Sequence, residues 1–324
     1  MLIVQKYGGS SLKNPERLRH VARMCKERSA GGAELVVVVS AMGGTTDVLT
    51  DRAHEMNTAP SARELDALVT TGEQQSAALL VMAMEETGLP AVSLTGWQAG
   101  ILTDAGYGNS DIRLISPGRI RAELSRGRVP VVTGFQGVCA AGDVTSLGRG
   151  GSDTTAVALA AVLEADECEI YTDVDGIYTA DPRLLPQARL LTVIDTRDML
   201  ALAKAGAKVL HAKSVELALA GNVTIRLLSS FHVCDGSEVR LLPDGARPRF
   251  TGLTGNGESG RVTLVGKGAD ASALSEAVLL LSAAGIRVRD SNFSESALSL
   301  YVSPEDQPAA MALVHDGMVL PLFG

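Results

Sequence analysis

The sequence predicts an α/β protein, with a mainly parallel central sheet between helices and a small C-terminal ferredoxin-like domain. Three observations carry this. Short apolar, β-branched runs alternate with helical patterns through the first two-thirds of the chain, as in a parallel sheet covered on both faces. Glycine-rich turns follow several of these runs, and ligands of such sheets collect at the carboxyl ends of the strands. The composition then shifts over Pro243–Gly260, and the elements beyond it read in βαββαβ order. At 324 residues the chain exceeds the size at which one core usually stops growing. A boundary near residue 245 divides it into residues 1–245 and 246–324.

The predicted strands of the first domain are Leu2–Gln5, Leu35–Val39, Val129–Thr133, Glu169–Thr172 and Val223–Leu227. Asn14-Pro15 reads as a helix start, Asn capping and Pro at the first helical position. Leu18, Val21, Ala22 and Cys25 follow at helical spacing and should face the sheet. Ser61-x-x-Glu64 and Thr70-x-x-Glu73 are capping-box patterns that open further helices. In the second domain Arg261–Gly266, Ile286–Asp290, Leu298–Val302 and Met318–Phe323 read as strands, with helices over Ser272–Ala284 and Pro304–Val314.

Composition narrows the function classes. Hydrophobic residues make up 46% and charged residues 20%, the balance of a water-soluble globular chain. Aromatics are only 3%, so the core must be built from Ala, Val, Leu and Ile. A net charge of −8 argues against nucleic acid or an acidic membrane as partner. No apolar run reaches membrane-spanning length, and the N-terminus is too short an apolar run for a signal peptide, so a cytoplasmic location is expected. Cys25, Cys139, Cys168 and Cys234 are scattered without a CxxC pair, and no His/Cys spacing suits a protein-held metal.

The most informative segment is Thr145–Thr155, TSLGRGGSDTT, which runs straight into an apolar helix. Glycines at a helix N-terminus let free backbone N–H groups approach an anion. Arg149 can grip a carboxylate or phosphate in bidentate fashion. A purely structural role, with Ser152 as N-cap and Asp153 in the first turn, leaves Gly148, Arg149, Gly150 and Gly151 unexplained. Lys6-Tyr7-Gly8-Gly9-Ser10-Ser11 puts a lysine at a strand end beside a glycine turn, where it can reach phosphate oxygens. It is not a Walker A loop, because no GxxxxGK[ST] string occurs in the chain. Ser40–Asp47 (SAMGGTTD) suits a small polar substrate or, structurally, a turn with Thr46 as N-cap; Thr70-Thr71-Gly72-Glu73 is open in the same way. Glu169–Arg183 is a strand followed by a loop of Asp, Gly, Tyr and Thr that could hold a base and ribose. Gly255-x-Gly257-x-x-Gly260 imitates a dinucleotide fingerprint but leads into a strand instead of a helix.

Taken together, Lys6–Ser11, Ser40–Thr46, Gly72-Glu73, Gly134-Phe135-Gln136-Gly137, Ser146–Thr155, Tyr171–Arg183 and Ala205–Glu216 (AGAKVLHAKSVE) resemble aspartokinase, of the amino acid kinase superfamily. The likeness runs in order from residue 1 to about 245 and is closest in kind to the actinobacterial type. It implies the amino-acid-kinase fold and transfer of the γ-phosphoryl group of ATP to the β-carboxylate of L-aspartate. By the same resemblance, Lys6 would stabilise charge on the transferring group, with Gly8, Gly9 and Ser10 lining its track, and Asp153 would organise that lysine. Arg149 would hold the substrate α-carboxylate, with Ser40, Thr46, Glu73 and Ser152 around the amino acid and Glu73 facing the ammonium. Thr172, Asp173, Tyr178, Arg183 and Lys208 match nucleotide positions of the family. Mg²⁺ would enter with ATP, held mostly by phosphate oxygens.

The resemblance departs at the C-terminus. Family members usually carry two ACT modules, whereas about 75 residues remain here, enough for a single ferredoxin-like unit. Arg261–Gly268 (RVTLVGKG) resembles the opening of the second module. The expectation is one ACT-like module, a homodimer or larger homo-oligomer, and weak or absent inhibition by lysine and threonine. Two alternatives remain at this stage: a kinase for another small amino acid or aspartate analogue, and a non-catalytic amino-acid-binding subunit. The presence of Lys6 and Asp153 speaks against the latter.

Overall fold

The computed structural model describes residues 1–323, and its contacts group them into two compact units, Met1–Asp175 with Ala220–Asp235, and Gly176–Leu219 with Gly236 onward. In the first unit the strands Ile225–Ser229, Glu167–Thr172, Leu2–Tyr7, Glu34–Val39, Val129–Thr133 and Ala91–Leu94 pair in that order, all parallel. Their runs of Val, Ile and Leu are buried on both faces, as a covered parallel sheet requires. The expected strands therefore form, with Val223–Leu227 shifted to Ile225–Ser229. A second, smaller sheet orders Ile112–Ile115, Ile101–Thr103, Gln136–Cys139 and Val144–Ser146.

Six helices belong to this unit: α1 (Pro15–Ala30), α2 (Thr45–Met56), α3 (Ala62–Val69), α4 (Thr71–Glu86), α5 (Gly118–Leu124) and α6 (Gly151–Leu163). Asn14 caps α1 by accepting from the Arg17 N–H at 2.9 Å. Leu18, Val21, Ala22 and Cys25 of α1 are all buried, facing the sheet as their spacing predicts. They share a core with Ile3, Tyr7, Leu35, Val37 and Val39 from the strands and Leu80 and Met84 from α4. Side chains alternate along the first strand. Ile3 and Tyr7 join that core, while Lys6 turns to the opposite face, where Asp153 of α6 meets it.

The second unit holds the short hairpin Ile177–Tyr178 with Leu190–Leu191, a parallel pair Val193–Asp195 with Ser237–Arg240, and helices α7 (Thr196–Lys204) and α8 (Ala212–Gly221), the last of which ends in the first unit. Its four-stranded antiparallel sheet runs Gly252–Asn256, Arg261–Val265, Ala297–Tyr301, Asp290–Ser294. Helices α9 (Ala271–Ala283) and α10 (Gln307–Val314) contribute Ala273, Ala277, Leu281, Ala310, Met311 and Val314 to its core around Phe250 and Leu264.

Two expectations are corrected here. Met318–Phe323 is no strand: residues 315–323 continue α10 as helical turns, with Met318 and Val319 buried in the core and Pro321 without an N–H for a ladder. The fourth strand instead precedes the module, Gly252–Asn256, so the order is ββαββα rather than βαββαβ. Gly255, Gly257 and Gly260 thus serve a hairpin, with Gly260 at φ 66° in its turn. Residue 245 lies inside the second compact unit. Residues 176–219 group with the C-terminal module because Ala180 and Leu185 lie in its core.

Phe250 is fully buried. Phe250→Ala is expected to lower unfolding stability by about 3–5 kcal/mol, read as the denaturation midpoint of the C-terminal core. A change below about 1 kcal/mol would mean that this core is not packed as described.

Candidate active site

Four segments of the first unit converge at the carboxyl ends of the parallel strands. Lys6 is the penultimate residue of its strand, and its Nζ lies 2.5 Å from Asp153 Oδ1 in the first turn of α6. The two side chains are only 11% and 10% exposed, so each is held by the other with little water. The turn after the strand is tied on both sides. The Gly8 N–H donates to Tyr171 O at 3.2 Å, and Gly43 N–H donates to Gly9 O at 3.0 Å. Gly9 needs its missing side chain: a Cβ there would sit 2.8 Å from the Ala41 carbonyl oxygen. Ser10 lies in the short 3-10 turn Gly9–Leu12, and Ser11 hydrogen-bonds Ser230 at 2.8 Å.

The segment Ser40–Thr46 is drawn to the same place. Ser40 N–H donates to Tyr7 O at 3.1 Å, and α2 starts after Gly44, which takes φ 83°. Thr46 is therefore inside the helix and not its cap. Glu73, in the first turn of α4, is 3% exposed and accepts from Ala41 N–H at 3.0 Å through Oε1. Its Oε2 has no hydrogen-bond partner among the described residues. Burial pushes the carboxyl up to about 7, the Ala41 hydrogen bond opposing only part of that shift. The capping box suggested by Thr70-x-x-Glu73 does not form, because Thr70 donates to Asp66 O at 2.7 Å and Glu73 reaches Ala41. Ser61, by contrast, does cap α3.

The glycine-rich loop before α6 uses its glycines as backbone. Gly148 and Gly150 take φ 72° and 71°, and Gly150 is the helix N-cap in place of Ser152. A Cβ on Gly148 would meet Asn109 Oδ1 at 2.5 Å. Arg149 is exposed, while Ser152 is buried against Gly134, whose Cβ would fall 2.7 Å from the Ser152 hydroxyl. Phe135 takes φ 69°, and its N–H donates to Thr155 Oγ1 at 3.1 Å, tying the Gly134–Gln136 turn to α6. Thr172 ends its strand, its hydroxyl donating to Asp173 Oδ1 at 3.1 Å.

Lys6, Gly8, Gly9, Ser10, Ser40, Thr46, Glu73, Arg149, Ser152, Asp153, Thr172 and Asp173 therefore all belong to the first unit. Tyr178, Arg183 and Lys208 belong to the second, where Arg183 pairs with Asp181 through Nε at 3.0 Å and Nη2 at 2.7 Å. Sequence reasoning missed Asp66. It is buried in α3 and accepts from Gly108 N–H at 2.9 Å, Ser146 N–H at 2.8 Å and the Ser146 hydroxyl at 2.6 Å. It thus clamps the strand that leads into the Arg149 loop. The signal was an aspartate inside the apolar run Leu65–Val69, a place that a carboxylate occupies only with donors around it.

Residues 1–229 match the amino acid kinase family. The chain is 54% identical to an aspartokinase of Corynebacterium glutamicum over 231 residues, covering 71% of this chain and 55% of that one. It is 43% identical to an aspartokinase of Geobacillus stearothermophilus over 319 residues, covering 97% of this chain and 78% of that one. The chain belongs to the amino acid kinase family, among the aspartokinases. It spans just over half the length of the Corynebacterium relative. The fold is that of E. coli aspartokinase III solved with aspartate and ADP, at a TM-score of 0.84 and 20% identity, over 98% of this chain and 100% of that one. Among the described residues no helix is long and apolar enough to cross a membrane.

Glu73 gives this site a measurable signature. Carbon-13 carboxyl shifts in glutamate-labelled protein should show one group titrating near pH 7, lost in Glu73→Gln. Because the folded value is raised, protonation of Glu73 favours the fold, and that contribution fades as pH rises from the ordinary glutamate range through about 7. If every glutamate titrates near its ordinary value, the pocket around Glu73 is wet.

Proposed function

We propose that the protein transfers the γ-phosphoryl group of ATP to the β-carboxylate of L-aspartate, giving 4-phospho-L-aspartate and ADP. The observation that carries this reading is the Lys6 ammonium held on Asp153 beside the Gly8–Gly9 turn. A carboxylate oxygen forms the new bond to the γ-phosphorus as the bond to the β,γ-bridging oxygen breaks. The carboxylate carries no proton to be removed, so the chain needs positioning and charge stabilisation rather than a general base. Lys6 faces the three equatorial oxygens, while Asp153 keeps its ammonium oriented. Backbone N–H groups of the glycine turn and of the α6 N-terminus supply further partial positive charge.

Glu73 and Arg149 act on the other reactant. The unpartnered Oε2 of Glu73 suits the α-ammonium, whose arrival would restore the charge that burial resists. Arg149, exposed at the head of its loop, is free to take the α-carboxylate in bidentate fashion. Ser40, Thr46 and Ser152 offer hydroxyls around the amino acid, and Thr172, Asp173, Tyr178, Arg183 and Lys208 serve the nucleotide. Among the described residues no group of three or more His, Cys, Asp or Glu could hold a metal ion. Mg²⁺ would arrive on ATP and neutralise charge on the phosphates. In this reading residues 1–245 carry catalysis and 246–324 form an ACT-like module, and the enzyme works as a homo-oligomer in the cytoplasm.

Lys6→Ala and Asp153→Ala are each expected to lower turnover about 10²–10³-fold while leaving the fold intact. The assay is ADP release with aspartate, with hydroxylamine trapping of the acyl phosphate. Near wild-type turnover by either variant would remove that residue from the mechanism.

Succinate lacks the ammonium that would face Glu73. Its kcat/KM should fall on the order of 10²-fold or more below that of aspartate. Equal values would leave Glu73 with a purely structural role, and failure of both with reaction of another amino acid would point to a different substrate.

A further inference from the structure

Thr179 and His315 are both fully buried in the second unit and hydrogen-bond each other, Oγ1 to Nε2, at 2.9 Å. Thr179 is hydrogen-bonded on every side. Its N–H donates to Arg189 O at 2.9 Å, its carbonyl accepts from Leu253 N–H at 2.7 Å, and its hydroxyl accepts from Arg189 N–H at 3.0 Å. The hydroxyl keeps a proton and a second lone pair for His315 Nε2, so it pairs with either imidazole tautomer. The other ring nitrogen, Nδ1, lies 3.4 Å from Asp316 Oδ1. Asp316 also accepts from Gln187 Nε2 at 3.0 Å. Gly252 allows this approach, since a Cβ there would lie 2.5 Å from the Thr179 carbonyl oxygen.

Three of these bonds, Thr179 to His315, Leu253 N–H to the Thr179 carbonyl and Gln187 to Asp316, join the loop 177–191 to the C-terminal module, and Ala180 and Leu185 of the same loop are buried in that module's core. Tyr178 precedes Thr179 directly, and Arg183 lies between the anchors Ala180 and Leu185. We propose that Thr179 and His315 are positioning residues for the nucleotide: through this bond the C-terminal module fixes the backbone that presents Tyr178 and Arg183. The proposal rests on the reading of those two residues as nucleotide-binding. It gives the C-terminal module a standing part in holding the nucleotide, independent of any effector.

Calorimetric titration with ADP and magnesium tests it on the whole chain. Tyr178→Ala and Arg183→Ala first check the underlying reading, and each should weaken ADP. Thr179→Val, nearly the same shape without the hydroxyl proton, and His315→Leu should then weaken ADP about tenfold. KM for aspartate should stay within about twofold, because the amino-acid groups belong to the other unit. Thr179→Ser and His315→Gln, which keep a donor and an acceptor at the same reach, should bind ADP nearly as wild type. Loss of thermal stability in Thr179→Val with unchanged ADP affinity, while Tyr178→Ala and Arg183→Ala bind poorly, would overturn the proposal. Normal ADP binding by Tyr178→Ala and Arg183→Ala would remove the nucleotide reading on which it stands. Should His315→Leu not fold, the contrast between Thr179→Val and Thr179→Ser decides alone.

Discussion

The ion pair between Lys6 and Asp153 is the contact on which the rest of the site depends. It joins the end of a central strand to the first turn of α6, with both groups almost withdrawn from water. With so little water around them, each charge is held in place by the other. The glycines on either side follow from this demand. Gly8 and Gly9 let the strand turn away at once, and Gly150 in the left-handed region lets α6 begin where Asp153 must stand.

On the other face of the same strand lies a polar cluster that no motif announced. Gln5 donates to Glu169 at 2.7 Å, Arg28 donates to the same carboxylate at 2.8 Å, and Tyr7 stacks on Tyr171 with ring centres 4.7 Å apart. Burial makes the Tyr7 hydroxyl and the Cys25 thiol hold their protons more tightly, the thiol up to about 12. Its partners sit directly across the ladder, Gln5 opposite Glu169 and Tyr7 opposite Tyr171. A one-residue slip would exchange the two faces and drive Lys6 into the apolar core. The cluster therefore fixes the register that keeps Lys6 in the site.

Much of this was legible in the sequence, for reasons that differ by element. The strands were readable as short unbroken apolar runs buried on both faces, and α1 because burial of one helix face imposes period 3.6, which Leu18, Val21, Ala22 and Cys25 obey. Gly9, Gly148 and Gly150 were readable because a close approach or a left-handed backbone needs glycine, and Lys6 because it breaks an apolar strand at its end. The last segment misled because Met318, Val319 and Leu320 are apolar without saying which period they follow, and a buried helical turn looks the same. Glu73 was ambiguous since its capping box and its contact with Ala41 call for the same residue type. Asp66 was hidden because its donors, Gly108 and Ser146, lie 42 and 80 residues away.

The place of the first strand in the sheet has a consequence for how the chain comes to be folded. It lies at the centre, between Glu34–Val39 and Glu167–Thr172, and Gln5 finds Glu169 across 164 residues. During synthesis, the lysine-bearing strand therefore has one neighbour early and waits for the other until more than half of the chain exists. Pairings of such long sequence separation form slowly and leave strand edges open meanwhile. A lysine poised at the end of that half-paired strand meets Asp153 only after α6 has been made, so the ion pair that organises the site cannot form on the first strands alone.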